Sequence, residues 1–100
     1  MSKSEKQLFL AVIDGDLNTV TSLISQGVSP NIRTDTQMTP LMAAVRANNA
    51  VMVRCLLNLG CDDELTDYLG RDAYDYAEKY NSRAALITMI TFEEDTYHAE

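Results

Sequence analysis

Side chains that could perform catalysis are few and widely spaced in this 100-residue chain. The only histidine is His98, close to the C-terminus, and there is no glycine-rich phosphate loop, nucleophilic serine motif or paired-cysteine zinc spacing. Asp14 and Asp16 could form a carboxylate pair, but two aspartates flanking a glycine are typical of a turn. The sequence therefore predicts a protein without enzymatic activity and without a cofactor.

The densest group of potential metal ligands is acidic, and its members are Asp62, Asp63, Glu64 and Asp67. Carboxylates are suitable calcium ligands, but this group lacks the alternating ligand order and the central glycine of a calcium-binding loop. A solvated acidic loop is the favoured interpretation, and no metal site is predicted.

Charge is distributed unevenly along the chain. Residues 1–61 carry five basic and four acidic side chains, a net charge of +1, whereas residues 62–100 carry three basic and eleven acidic ones, a net charge of −8. A negative surface repels nucleic acid and anionic membranes and attracts basic molecules. We therefore expect a protein partner, for which a basic protein is a suitable candidate, and neither nucleic acid nor membrane.

The content of apolar residues, 46%, is sufficient for one compact domain. No apolar stretch is long enough to cross a bilayer, and residues 1–16 lack the apolar core and cleavage site of a signal peptide. Cys55 lies in an apolar segment and is interpreted as a small hydrophobe rather than as a disulfide partner of Cys61. Together these features predict a soluble protein of the reducing cytoplasm.

The helices that must support any binding surface follow from an internal repeat with a period of 33 residues. Glycine, alanine and larger apolar residues recur in step. The matched sets are Gly27 with Gly60; Ala11 with Ala44 and Ala77; Val20 with Val53 and Leu86; Leu23 with Leu56 and Met89; and Ile24 with Leu57 and Ile90. A single unit of this size cannot bury its apolar face, so neighbouring units must stack on one another.

The middle copy, TPLMAAVRANNAVMVRCLLNLGCD, resembles an ankyrin repeat along its whole length, because a Thr-Pro-Leu-x-x-Ala start and a 33-residue period are typical of that family. The first copy has Lys6 and Gln7 in the Thr-Pro positions, and the third has Asp72 and Ala73. The resemblance implies an all-α ankyrin-repeat solenoid of stacked helix-turn-helix pairs with short turn fingers between repeats. It implies one domain at residues 1–90, with repeats at about 4–33, 34–66 and 67–90, and an acidic C-terminal tail at 91–100.

Helix boundaries are predicted from capping residues. The first helices should begin at a capping box of Ser4 with Gln7, at Thr39 followed by Pro40, and at Asp72. The second helices should span about 17–26, 50–59 and 83–90, and the first two should end at Gly27 and Gly60. Residues 91–100 have no counterpart in the other repeats, so we expect them to be frayed or only partly docked.

In ankyrin proteins, recognition generally uses the fingertips and the inner face of the first helices. Carried over by position, this implies a partner-binding surface that consists of Ile13 and Asp14; Asp35, Thr36, Met38, Arg46 and Ala47; and Tyr68, Leu69, Arg71, Lys79 and Tyr80. Tyrosine, methionine and arginine are enriched at protein interfaces, which favours binding. The alternative is that Met38 and Leu69 only cover neighbouring turns and that the tyrosines pack against the end of the domain.

The sequence thus predicts a non-enzymatic interaction module that binds one partner protein through a concave face and is monomeric when free. A sharper hypothesis is an inhibitor or immunity-type protein that blocks a basic enzyme, because the chain is short and its C-terminal part is acidic. The alternative is a structural or assembly protein whose weakly capped ends stack copies of the chain.

Overall fold

The computed structural model describes the backbone of residues 1–98 and the side chains of residues 1–94. Within these residues the regular structure consists of six helices and no strand. The helices are α1 (Lys3–Asp14), α2 (Leu17–Ser25), α3 (Pro40–Arg46), α4 (Ala50–Asn58), α5 (Ala73–Lys79) and α6 (Arg83–His98). Helices α1 with α2, α3 with α4 and α5 with α6 form three antiparallel pairs. No described helix combines the length and the apolar content that crossing a membrane requires.

The pairs stack in two layers, as the repeat predicts. One layer contains α1, α3 and α5, and the other contains α2, α4 and α6. The core lies between repeats and is centred on residues with no exposed surface, such as Leu8, Val45, Met52 and Leu56. Small residues, including Ala11, Ala44 and Ala77, are buried in the first layer, where they let neighbouring helices approach closely. The all-α repeat solenoid is therefore confirmed.

The predicted caps of the middle and last repeats are confirmed. The Thr39 side chain accepts a hydrogen bond from the backbone N–H of Met42 at 3.2 Å, and Pro40 is the first residue of α3. Asp72 caps α5 in the same way, accepting from the N–H of Asp75 at 2.9 Å. These side chains satisfy N–H groups that have no partner within their own helix.

The predicted cap of the first repeat is wrong by two residues. Ser2, not Ser4, caps α1, and Ser4 lies inside the helix. The Ser2 hydroxyl accepts from the N–H of Glu5 at 3.2 Å, and the Glu5 carboxylate accepts from the N–H of Ser2 at 2.7 Å. A carboxylate at this position also interacts favourably with the positive end of the helix, which the amide of Gln7 cannot do.

The two glycines predicted to end α2 and α4 have the expected backbone conformation. Gly27 and Gly60 follow the helix caps with φ of 110° and 96°. Left-handed backbone of this kind costs little without a Cβ atom, so glycine ends both helices cleanly.

The last helix is longer than predicted. It continues to His98 rather than ending near residue 90, so the expected fraying of residues 91–98 is not observed. No glycine or proline follows Ile90 to stop the helix. Phe92 is half-buried against the core and lies 5.6 Å from the Arg54 guanidinium, which anchors the added turns. Residues 99 and 100 and the His98 side chain lie outside the described part.

A hydrogen bond between repeats holds the start of α6. The Asn48 side-chain oxygen accepts from the backbone N–H of Ala85 at 3.0 Å. Ser82 occupies the position at which Asp16 and Asn49 cap α2 and α4, but its buried hydroxyl has no hydrogen-bond partner among the described residues. A residue of the second repeat therefore does the work of a cap for the third.

Replacing Asn48 by glycine should lower the free energy of unfolding by about 1 kcal/mol, the usual contribution of a helix cap. Asn48 has a φ of 52°, and glycine tolerates this conformation, so the loss reports the side chain alone. Asn81→Gly is the matched control, because Asn81 has the same φ of 52° and no comparable bond. Equal melting temperatures for the two variants would show that the bond between repeats contributes nothing.

Candidate functional site

Two turns, one at each junction between repeats, project from the helices and have the same construction. In the first finger, residues 34–38, the N–H of Gln37 donates to the carbonyl of Thr34 at 2.8 Å. In the second finger, residues 67–71, the N–H of Gly70 donates to the carbonyl of Asp67 at 3.0 Å. A further bond, from the N–H of Tyr68 to the carbonyl of Thr36 at 3.0 Å, joins the two fingers. The fingers therefore form one connected surface.

Asp67 organises the second finger from within. Its carboxylate is buried and accepts from the N–H groups of Leu69 and Arg71, at 2.9 and 3.0 Å. It also accepts from the Arg71 side chain at 2.9 Å and from the Tyr76 hydroxyl at 2.7 Å. Asp67 is thus a structural anchor rather than an exposed ligand.

These bonds decide the ionisation of the cluster. Burial alone would raise the pKa of Asp67, but the hydrogen bonds from Arg71, Tyr76 and Leu69 outweigh it and lower that pKa below its usual range. Burial, together with the bond to this carboxylate, raises the pKa of Tyr76 to about 12. The pair therefore stays an anion and a neutral phenol near neutral pH.

The acidic loop beside this finger is bound into the chain at several points. The N–H of Asp62 donates to the Asn31 side chain at 2.8 Å, and the Asp62 carboxylate accepts from the N–H of Glu64 at 2.8 Å. Asp63 accepts from the Tyr74 hydroxyl at 3.0 Å. Among the described residues, no group of three or more potential ligands is arranged to hold a metal ion.

The two cysteines offer little nucleophilic chemistry. Both are free thiols, as predicted, and both are half-buried. Burial raises the pKa of Cys61 to about 12, and its thiol donates to the carbonyl of Pro30 at 3.1 Å. A thiol that stays protonated is a poor nucleophile.

A groove lies between α1, the first finger and the end of α3. It has a volume of about 360 Å³ and is lined by Ile13, Met38, Ala43, Arg46 and Ala47. We call this the binding groove. Four of its five lining residues belong to the predicted surface, and Ile13 is 64% exposed although it is fully apolar.

Tyr80 lies beside the binding groove and carries two cations. The Arg46 guanidinium is 5.1 Å from the centre of its ring, and the Lys79 ammonium is 5.6 Å away. The Tyr76 ring packs at 6.0 Å on the Tyr80 ring. Cations over an aromatic face are attracted by the ring electrons, so the three side chains form one cluster at the third-repeat side.

The remaining predicted residues lie in different surroundings. Tyr68 and Leu69 are 63% and 59% exposed at the tip of the second finger. Asp35 and Thr36 line a recess of about 270 Å³ at the first finger, and Asp14 is exposed outside the described grooves. Arg71 differs from the prediction of a free surface cation, because it is bound to Asp67 and lies 5.2 Å from the Tyr76 ring.

Sequence reasoning missed several residues next to the binding groove. An adjoining apolar groove of about 360 Å³ includes Met1, Lys6 and Leu10, of which Leu10 is 60% exposed. The signal for Leu10 was available, because it lies 33 residues before Ala43 and therefore at the same position of the repeat. Lys6 and Met1 could not be found in this way, since the first repeat has no finger before it.

Comparison with known proteins gives the same fold and extends over nearly all of the chain. The family model for ankyrin repeats, in three copies, matches residues 8–96. An ankyrin repeat protein of fowlpox virus (strain NVSL) is 29% identical over 96 residues, which cover 95% of this chain and 51% of the viral protein. An ankyrin repeat-containing protein of Treponema pallidum (strain Nichols) is 34% identical over 68 residues, or 68% of this chain and 22% of that protein. The chain thus spans about half, or less, of the length of these relatives.

Two solved structures have a closely similar backbone. The human ASB11 ankyrin repeat domain superposes with a TM-score of 0.75 at 25% identity, covering 85% of this chain and 38% of that chain. A chain from the complex of the Bdellovibrio bacteriovorus predatory endopeptidase Bd0816 with the immunity protein Bd3460 gives a TM-score of 0.76 at 30% identity, covering 90% and 46%. Sequence, repeat period and backbone agree, and this chain belongs to the ankyrin repeat family.

Proposed function

We propose that this protein binds a partner protein through the face formed by the two fingers and the C-terminal ends of α1, α3 and α5. Ankyrin repeats are protein–protein interaction modules, and the observation that carries the choice of face is its exposed apolar content. Ile13, Tyr68 and Leu69 are each more than half exposed and lie around a preformed groove. Exposed apolar groups on one connected surface are typical of protein interfaces.

The proposed mechanism is binding by a rigid, preorganised surface without catalysis. The fingers are held by the Asp67 cluster and by the bond between Tyr68 and Thr36, so little order is lost when a partner docks. Two unpaired cysteines are compatible with a reducing compartment, and we place the protein in the cytoplasm.

Within this function, we favour an inhibitor or immunity-type role toward a basic enzyme. The support is the similarity to a chain of an endopeptidase–immunity protein complex and the net charge of −8 in residues 62–100. A negative field increases the rate at which a basic partner is captured.

The face is tested by replacing its aromatic residues after a partner has been captured from a lysate of the source organism. Tyr68→Ala and Tyr80→Ala should each weaken that partner by about 1 to 3 kcal/mol, mostly through faster dissociation. Val51→Ala is the matched control, because Val51 is 64% exposed on α4, in the other layer. A captured basic enzyme that loses activity on binding would support the inhibitor role. Binding that is indifferent to both tyrosine changes, with thermal unfolding unaltered, would rule out this face.

The alternative, self-association by stacking of repeats, is disfavoured by the residues of α5. Asp75 and Glu78 are exposed at the positions that Met42 and Val45 occupy 33 residues earlier. Met42 and Val45 are 1% and 0% exposed against the neighbouring repeat. Stacking another copy there would bury two carboxylates without partners, which is costly. We therefore propose that the free protein is monomeric.

Restoring the apolar residues should create the interface that the acidic residues prevent. The double variant Asp75→Met/Glu78→Val should associate as its concentration rises, whereas the parent should keep the mass of one chain. Sedimentation across a hundredfold range of concentration measures both. A parent whose mass rises with concentration would instead support the assembly role.

A further inference from the structure

Two positive charges lie beside the binding groove without a carboxylate partner. Arg46 lines the groove, and both Arg46 and Lys79 are exposed and contact the Tyr80 ring. Over the residues whose side chains are described, neither cation forms an ion pair; the Asp67–Arg71 bridge involves neither of them. This corner of the surface is therefore positive, although the chain as a whole has a net charge of −7.

The other end of the face is balanced. Lys6 and Asp35 line the same recess, so a cation and an anion lie close together there. Asp14 is exposed next to Ile13 but does not line the binding groove. The excess positive charge is thus confined to the third-repeat side of the groove.

The floor of the groove offers apolar contact rather than hydrogen bonds. Ile13, Met38, Ala43 and Ala47 supply it, and about 360 Å³ is enough for one large aliphatic or aromatic side chain. Methionine adapts to different shapes, which favours a class of apolar side chains over one specific residue. An occupant must therefore combine an apolar group with a negative charge at one side of it.

Resting on the proposed function, we propose that the groove holds an extended segment of the partner in which a large apolar residue is followed or preceded, two positions away, by aspartate or glutamate. Residues two apart in an extended chain project from the same face, about 7 Å apart. The apolar side chain then fills the groove while the carboxylate lies between Arg46 and Lys79. Tyr80 supports both cations from below.

This local preference is compatible with a basic partner. Charges on the acidic loop and on α5 act over distances up to about 8 Å at physiological salt and affect mainly the rate of encounter. The cations at the groove instead select which segment of the partner docks. A protein with a net positive charge still carries individual carboxylates beside apolar residues.

The test is a selection from a library of random dodecapeptides displayed on phage, with the parent protein as bait. Selected sequences should be enriched in aspartate or glutamate two positions from leucine, isoleucine, methionine or an aromatic residue. The double variant Arg46→Gln/Lys79→Gln should lose the acidic preference and keep the apolar one. Arg83→Gln, which removes an exposed cation from α6, is the matched control and should select the same sequences as the parent.

Affinities of the best peptide and of its carboxylate-to-amide analogue complete the test. The parent should bind the acidic form roughly three- to tenfold more tightly, the range expected for one or two exposed ion pairs, and the double variant should bind both forms equally. Selection of basic peptides, or no acidic enrichment, with NMR shifts at Ile13 and Met38 would overturn the inference and leave the binding face intact. Peptides that shift only α2 or α4 would overturn both.

Discussion

Replacing Leu56 by alanine should lower the free energy of unfolding by about 2 to 5 kcal/mol, because the side chain has no exposed surface and its removal leaves a cavity. Leu56 lies on α4, the second helix of the middle repeat, which packs on both α2 and α6. In a stack of three repeats, a cavity at this helix weakens both junctions. The melting temperature should fall by at least about 8 °C for a domain of this size.

The control for this change is Val51→Ala on the same helix. Val51 is 64% exposed, so its truncation should change stability by no more than about 0.5 kcal/mol. Thermal unfolding followed by circular dichroism measures both variants. If Leu56→Ala melted within about 2 °C of the parent, the repeat alignment that places Leu56 in the core would be wrong.

Replacing Asp67 by alanine should lower the free energy of unfolding by about 3 kcal/mol, although only one exposed finger is involved. The change removes the acceptor of four hydrogen bonds and leaves the buried Tyr76 hydroxyl without its partner. Arg71 is partly exposed and can turn to water, which limits the loss. Asp35→Ala, which removes an exposed carboxylate from the first finger, should change stability little.

The same carboxylate predicts a dependence on pH. Its pKa is lower in the folded chain than in the unfolded chain, so its contribution is complete above the unfolded value of about 4 and is lost as pH falls below that value. The parent should therefore lose stability in acid more steeply than Asp67→Ala. Denaturant titrations at pH 7 and pH 3 compare the two, and parallel pH profiles would show that Asp67 does not carry this contribution.

The fold could be predicted because its determinants are local and repeated. The 33-residue period fixes which residues face a neighbouring repeat, and Thr39, Asp72, Gly27 and Gly60 mark helix ends by side-chain and backbone preferences that need no tertiary information. The length of α6 could not be predicted in this way, because Phe92 extends it by packing against the core rather than by any repeat position.

The candidate site was predicted less completely for the same reason. Family positions identified Ile13, Met38 and Tyr80, but they do not reveal which charged side chains are already bonded within the molecule. Arg71 appeared to be as available as Arg46, and only the structure shows that it is bound to Asp67. Leu10 and Lys6 became part of the surface only when α1 packed beside the first finger.

Hydrogen exchange of the protein with its captured partner tests the central claim, that the finger face is the binding surface, most directly. Binding should slow exchange at residues 34–38 and 67–71 and at the ends of α1, α3 and α5, because these backbone groups surround the groove and lie under the partner. Exchange along α2 and α4 should be unchanged. Protection restricted to α2 and α4, with the fingers exchanging as in the free protein, would contradict the proposed site.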